Sequence, residues 1–182
     1  MTKGPPISAM SGTARAQALA ESGRASEAVG LLDRLGSQGD ADALFTLGMW
    51  RLAGRLVPRD VSAASECFRR AGEAGRIEGE MVHTNFLATG TGGSPDWIAA
   101  LSRLRALARR DTRSRSQWRI VERMDLTSEG DPVTAPTGRQ ISESPHVTLF
   151  PKLFTKSECE YLIEAAGPLL RPSMVVDERT GR

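Results

Sequence analysis

Four kinds of position in this 182-residue chain could carry chemistry: its histidines, its cysteines, one glycine-rich stretch and one arginine-rich stretch. His83 and His146 are the only imidazoles. A metal site needs several donors converging on one point, and neither histidine has partners at ligand spacing, so His83, inside a predicted helix, reads as structural. Cys67 and Cys159 are the only thiols. They lack metal spacing and fall on the apolar faces of separate predicted helices, where free cysteine behaves as a small hydrophobe; both are expected in a core. Gly90-Thr91-Gly92-Gly93-Ser94 has the composition of a phosphate cradle, but no Gly-Lys-Ser/Thr follows and no strand precedes it. It reads instead as an inter-helix loop, with Ser94 as N-cap and Pro95 in the first helical turn. From Arg103 to Arg123 the chain carries eight arginines against Asp111 and Glu122. That stretch could contact nucleic acid or an acidic partner. The competing reading is a solvated face of the last helical pair, with Leu104, Leu107, Trp118, Val121 and Met124 on the buried side. No catalytic, cofactor-binding or metal-ligating residue is assigned.

The elements that must hold these residues are mostly helical, and they repeat. Laying Gly39–Trp50 over Gly75–Phe86 gives an offset of 36 residues. Phe45 then falls on Met81, Trp50 on Phe86, Gly54 on Gly90, Asp60 on Asp96, Ala63-Ala64 on Ala99-Ala100 and Phe68 on Leu104. A period in this range, built from paired helices, marks a solenoid in which each repeat buries its face against its neighbours. Small residues such as Gly48, Ala64 and Ala71 let antiparallel helices approach closely. Ala14 to Glu21 and Ala25 to Leu35, joined across Ser22-Gly23-Arg24, form a shorter pair of the same type, giving about three stacked hairpins. Trp50, Trp97 and Trp118 fall at or inside helices and are expected to pack between hairpins. In Ala43, Leu47-Gly48, Gly54, Val57, Asp60, Ala63-Ala64, Phe68, Ala71 and Ala74-Gly75 the first copy resembles a Sel-one-like repeat, a relative of the tetratricopeptide repeat. The second copy departs from the pattern, with Gly79 in place of the opening alanine and Thr84 in place of Gly48. The resemblance implies contacts with a protein partner or substrate and carries no reaction.

Ser128 to Ser144, with Gly130, Pro132, Pro136 and Gly138, has the composition of a linker, within which Ile141 could add a short edge strand. Beyond it the order is strand, capped helix, strand, loop. Val147 and Leu149 alternate with His146 and Thr148, the period of a half-buried strand. Thr155 and Glu158 have capping-box spacing, Cys159, Leu162, Ile163 and Ala166 share one helical face, and Gly167-Pro168 end the helix. Ser173 to Val176 is a second strand candidate, followed by turn residues Asp177 to Gly181. Fewer than forty residues cannot bury a core of their own.

This ordered set (Pro145, Val147, Phe150, Leu153-Phe154, Glu158-Cys159, Leu162-Ile163, Ala166, Pro168, Ser173, Val175-Val176-Asp177 and Thr180-Gly181) resembles the N-terminal edge of prolyl 4-hydroxylase-like iron(II)/2-oxoglutarate-dependent dioxygenases. It covers about one fifth of the chain. The resemblance implies a double-stranded β-helix and hydroxylation of a peptidyl proline or similar carbon in a longer parent protein. Its cofactors would be iron(II) and 2-oxoglutarate, with ascorbate beside them. Iron would be held by two histidines and one carboxylate. His83 is followed by Thr84-Asn85 and His146 by Val147-Thr148. No His-x-Asp or His-x-Glu exists, and the triad is expected beyond Arg182. This chain alone is therefore expected to bind no cofactor and to catalyse nothing.

The hydrophobic fraction, 40%, and the charged fraction, 25%, are those of an ordinary globular chain. A net charge of +2 is too small to imply a nucleic-acid or membrane partner by itself. Met1 to Glu21 contains no signal-peptide core, and no run approaches a membrane span; the expected location is the cytoplasm. The expected fold class is mainly α: helical-repeat hairpins, then a short α+β segment. The expected divisions are a flexible N-terminus (1–12), helical repeats (13–127), a linker (128–144) and a truncated oxygenase segment (145–182). The alternative to a piece of an oxygenase is a non-catalytic interaction scaffold.

Overall fold

The computed structural model describes residues 11–171. The expected strand Ser173 to Val176 and the turn Asp177 to Gly181 lie outside the described residues. The chain is mainly α and divides into two units, 11–118 with 126–131, and 119–125 with 132–171.

The helical unit contains α1 (Gly12–Glu21), α2 (Ala25–Ser37), α3 (Ala41–Ala53), α4 (Val61–Glu73), α5 (Ile77–Thr89), α6 (Trp97–Leu107) and most of α7 (Thr112–Val121). The repeat is visible in the helix starts: α2, α4 and α6 begin at residues 25, 61 and 97, and α3 and α5 at 41 and 77, each step 36 residues. Turn chemistry fixes these boundaries. Gly54 and Gly90 close α3 and α5 in the left-handed conformation, at φ 67° and 70°, which a residue with a Cβ adopts at a cost. Asp60 and Asp96 open α4 and α6 by accepting the N–H of Ala63 and Ala99, both at 2.8 Å. The cap of α6 is thus Asp96 and not Ser94, and Pro95 precedes the helix. Asp96 wins because it holds the repeat position of Asp60, from which the carboxylate reaches the third helical N–H.

Small residues set the spacing between helices. A Cβ on Gly48 would lie 2.8 Å from the Phe68 ring, and one on Gly36 2.8 Å from Leu44. Gly79 plays the same part for α4 and α5: its Cβ would meet Ala71 Cβ at 2.8 Å and the Phe68 carbonyl at 3.0 Å. The second copy therefore keeps the role of the opening alanine with a still smaller residue. Phe68 is fully buried, with Phe45 at 5.4 Å on one side and Phe86 at 5.7 Å, edge-on, on the other. Leu32, Leu47, Cys67, Ala64 and Ala71 are buried around this column and the preceding hairpin.

The second unit holds an antiparallel hairpin, β1 (Arg139–Ser142) with β2 (Val147–Leu149), and α8 (Lys156–Ala166), continued by a 3₁₀ turn at Gly167–Leu169. Arg139 pairs with Leu149, Gln140 with Thr148 and Ser142 with Val147, so the register breaks at Ile141. The capping box of α8 is formed: Thr155 Oγ1 accepts the Glu158 N–H at 3.3 Å, and Glu158 Oε2 accepts the Thr155 N–H at 2.6 Å. Burial departs from the pattern. Val147 and Leu149 are exposed while Thr148 is the more covered, and α8 has no buried residue. Cys159 is exposed rather than in a core. Periodicity had identified which residues share a face, but the unit has too little chain to cover that face.

Candidate interaction face of the helical unit

Arg76, immediately before α5, joins two repeats. It occupies the capping position of Asp40 in the preceding copy, yet it makes no side-chain cap. Its guanidinium instead lies 4.4 Å from the centre of the Phe45 ring and pairs with Asp42, with Glu78 3.6 Å from Nε. A cation over an aromatic face contributes about 0.5–2 kcal/mol, and the ion pair fixes the fork in that pose. One step along, Arg110 pairs with Glu80, which is largely covered. Arg70 donates to the Gly36 carbonyl at 3.0 Å. Arg76 and Arg70 thus bridge successive hairpins, and Arg110 ties the end of α6 back to α5. Sequence reasoning missed Arg76; the signal available was a cap-forming aspartate replaced, one period later, by a residue that cannot cap.

Beside this junction lies a cavity of about 410 Å³ whose walls include Arg76, Ile77, Glu78, Met81, Asp111 and Arg113. Asp111 is the cap of α7: Oδ2 accepts the Ser114 N–H at 2.7 Å. That bond holds its carboxyl below the usual carboxylate range. Ser114 is fully buried and sits third after its cap, as Ala43 and Gly79 do in α3 and α5. A second cavity of about 690 Å³ lies along α1 and α2, with Arg15, Leu19, Arg24, Glu27, Leu31 and Arg34 in its walls.

The residues singled out for chemistry do not converge. His83 is buried in α5 with Nδ1 3.4 Å from Ser65 Oγ, and burial foremost, then Arg103 and Arg69, pushes its pKa down. Thr84 beside it bonds back to the Glu80 carbonyl at 2.7 Å. Cys67 is buried, accepts a bond from Arg51 Nη1 at 3.3 Å, and has its thiol pushed up by burial. His146 is exposed on the hairpin, 3.3 Å from Thr148 Oγ1. Among the described residues no group of three His, Cys, Asp or Glu side chains is placed to hold a metal ion. A buried imidazole flanked by arginines and a lone exposed one do not fit iron. The glycine-rich stretch is the loop between α5 and α6. Gly92, at φ 82°, approaches the carbonyl of Val61 so closely that a Cβ would stand 2.7 Å from it. Of the expected buried side of the arginine stretch, Leu107 is buried and Leu104, Trp118 and Val121 are half-buried, but Met124 is exposed. No helix among the described residues is long and apolar enough to cross a membrane.

Comparison with known proteins gives two kinds of likeness. No protein-family model matches it. A stretch of 42 residues, 23% of the chain, is 48% identical to "Probable prolyl 4-hydroxylase 10" of Arabidopsis thaliana, and the match spans 14% of that protein's length. Among solved structures, a Sel1 repeat protein from Oxalobacter formigenes superimposes with a TM-score of 0.53 and 21% identity over 62% of this chain and 49% of that one. Cysteine-rich protein B (HcpB) of Helicobacter pylori gives a TM-score of 0.43 at 15% identity over 46% of this chain and 63% of its own. The helices have the Sel1-repeat fold, and the chain also carries a stretch similar to part of a prolyl 4-hydroxylase.

Proposed function

Taking the Sel1-repeat fold of the helices as premise, we propose that this chain is the N-terminal region of a prolyl 4-hydroxylase-like iron(II)/2-oxoglutarate-dependent dioxygenase, whose helical repeats engage a protein partner or the protein substrate. The observation that carries the catalytic half of this reading is the 48% identity to a prolyl 4-hydroxylase over 42 residues, together with the order of hairpin strand, capped helix and closing turn at residues 139–169. The interaction half is supported by a repeat fold whose inter-hairpin edges carry ordered arginines and a cavity. The chain supplies binding, and residues further along the parent would supply the iron triad, the 2-oxoglutarate-binding basic residue and the hydroxylation of a peptidyl proline or similar carbon.

The test is to sequence the native transcript past the codon for Arg182. An open frame encoding His-x-Asp or His-x-Glu, a later histidine and a basic residue is the expected result; a stop codon there would overturn the oxygenase assignment. Anaerobic titration of the chain itself with iron(II) and 2-oxoglutarate should give no stoichiometric complex. The second reading, an interaction scaffold with no catalytic parent, is supported by the Sel1-repeat fold of the helices; the same transcript separates the two.

A further inference from the structure

Between Trp97 and Trp118 lie Arg103, Arg105, Arg109, Arg110, Arg113 and Arg115 against a single acid, Asp111, so six guanidinium groups face one carboxylate. The structure shows how these charges are used. Arg110 is paired with Glu80. Arg115 Nε donates to the Ala108 carbonyl at 3.0 Å and so serves the end of α6. Arg105 lies 5.8 Å from the centre of the Trp118 ring. Asp111 is held by the backbone of α7. Arg109 and Arg113 are exposed, and among the described residues neither has a carboxylate within ion-pair reach. Arg113 also lines the cavity of about 410 Å³, where Ile77 and Met81 supply apolar wall.

We infer that this end of the helical unit binds an acidic protein segment in which a carboxylate-bearing residue stands next to an apolar one: the carboxylate on Arg113, the apolar side chain on Ile77 and Met81, with Arg109 adding positive charge to the same end of the unit. Arg113 and Arg109, exposed arginines left without a carboxylate at this end among the described residues, select the acidic partner. The cavity's own acids select protein over nucleic acid. Glu78 and Asp111 share its wall with Arg113, so a strand carrying one phosphate every few ångströms would set phosphates against carboxylates, whereas a peptide places one carboxylate on the fork and an uncharged residue beside it. Arginine suits the task because its planar fork meets a carboxylate through two parallel bonds. The inference rests on the reading that the repeats engage protein.

The experiment uses the whole chain and a short fluorescent peptide of alternating glutamate and leucine, followed by anisotropy. Binding is expected to weaken about tenfold or more in the double variant Arg109→Glu, Arg113→Glu, the loss of about one charge-assisted contact. It should weaken about fivefold in Met81→Ser and for a glutamate–serine peptide, and stay unchanged in Arg15→Glu, which lines the other cavity. Circular dichroism confirms that each variant keeps its helices. Equal binding by wild type and the charge-reversed variant, no binding of the peptide, or tighter binding of an RNA or DNA oligonucleotide would each overturn the inference. A protein partner cross-linked to α1–α4 instead would overturn this site while leaving the protein-interaction reading intact.

Discussion

Replacing Gly79 by alanine tests whether close helix approach, rather than helix propensity, decides this position. Alanine in a helix is intrinsically better than glycine by about 0.5–1 kcal/mol, and Gly79 lies in the first turn of α5, where the gain is at the low end. Against it stands the added Cβ, 2.8 Å from Ala71 Cβ, 3.0 Å from the Phe68 carbonyl and 3.1 Å from the Gly72 nitrogen. None of these atoms can rotate away, so α4 and α5 must part by about half an ångström, which loosens the fully buried Phe68 and costs about 1–3 kcal/mol. The net expectation for Gly79→Ala is a loss of about 1–2 kcal/mol. Gly30, in the middle of α2, is the control: nothing lies within 4 Å of its Cβ position, so Gly30→Ala should stabilise by about 0.5–1 kcal/mol. In urea unfolding followed by circular dichroism, with a slope of about 2 kcal/mol/M, the two midpoints should move in opposite directions and differ by about 1 M. A Gly79→Ala midpoint raised as far as that of Gly30→Ala would refute the reasoning.

The cap assignment predicts that Asp60→Ala and Asp96→Ala each cost about 0.5–2 kcal/mol in the same urea assay, while Ser94→Ala changes stability by less than about 0.5 kcal/mol. Thiol titration of the folded chain should find Cys159 reacting at once and Cys67, buried and with its thiol pushed up, only on unfolding; two fast thiols would contradict the packing of α4. His83 has a folded-state pKa below its usual value near 6.5, so its contribution to stability is complete above about pH 6.5 and is lost as the pH falls through the folded pKa. Stability measured from pH 7.5 to pH 5 should therefore fall less steeply in His83→Gln than in wild type; parallel slopes would exclude His83 as the source. Hydrogen exchange should show α4 amides strongly protected and α8 amides exchanging close to the rate of an isolated helix, and equal protection would contradict the exposure of α8.

The helical boundaries were legible because the turn chemistry repeats along with the apolar pattern. Gly54 and Gly90, then Asp60 and Asp96, recur at the same offset, and each acts through its own backbone geometry or a bond three residues away, which sequence spacing encodes directly. Other features depended on distant neighbours and were not legible. Gly79 reads as a departure from the repeat until Ala71 and the Phe68 carbonyl are seen against it. Ser94 reads as a cap until Asp96 is seen holding the first turn. Arg76 shows nothing in sequence of the Phe45 ring beneath it. Cys159, Met124, Val147 and Leu149 fail for a single reason: periodicity states which residues face the same way, and says nothing about whether another element covers them.

That last distinction also separates the two units in kind. In the helical unit each apolar face meets a helix one half-repeat away, so a fixed offset in sequence becomes a fixed contact in space; Phe68 between Phe45 and Phe86 is the result. In the second unit the local signals are just as strong, with a complete capping box on α8 and a paired hairpin. Yet Leu162 and Ile163 remain 48% and 72% exposed. Capping contributes about 1 kcal/mol, and a two-stranded hairpin is marginal at best in water. Burying one leucine-sized side chain contributes about 1.5–3 kcal/mol, so the covering of α8, more than its capping, would decide whether it is stable. A segment that specifies its secondary structure well while leaving its apolar face open depends for its stability on a surface that covers Leu162 and Ile163, and under the proposed reading the rest of an oxygenase domain would supply that cover.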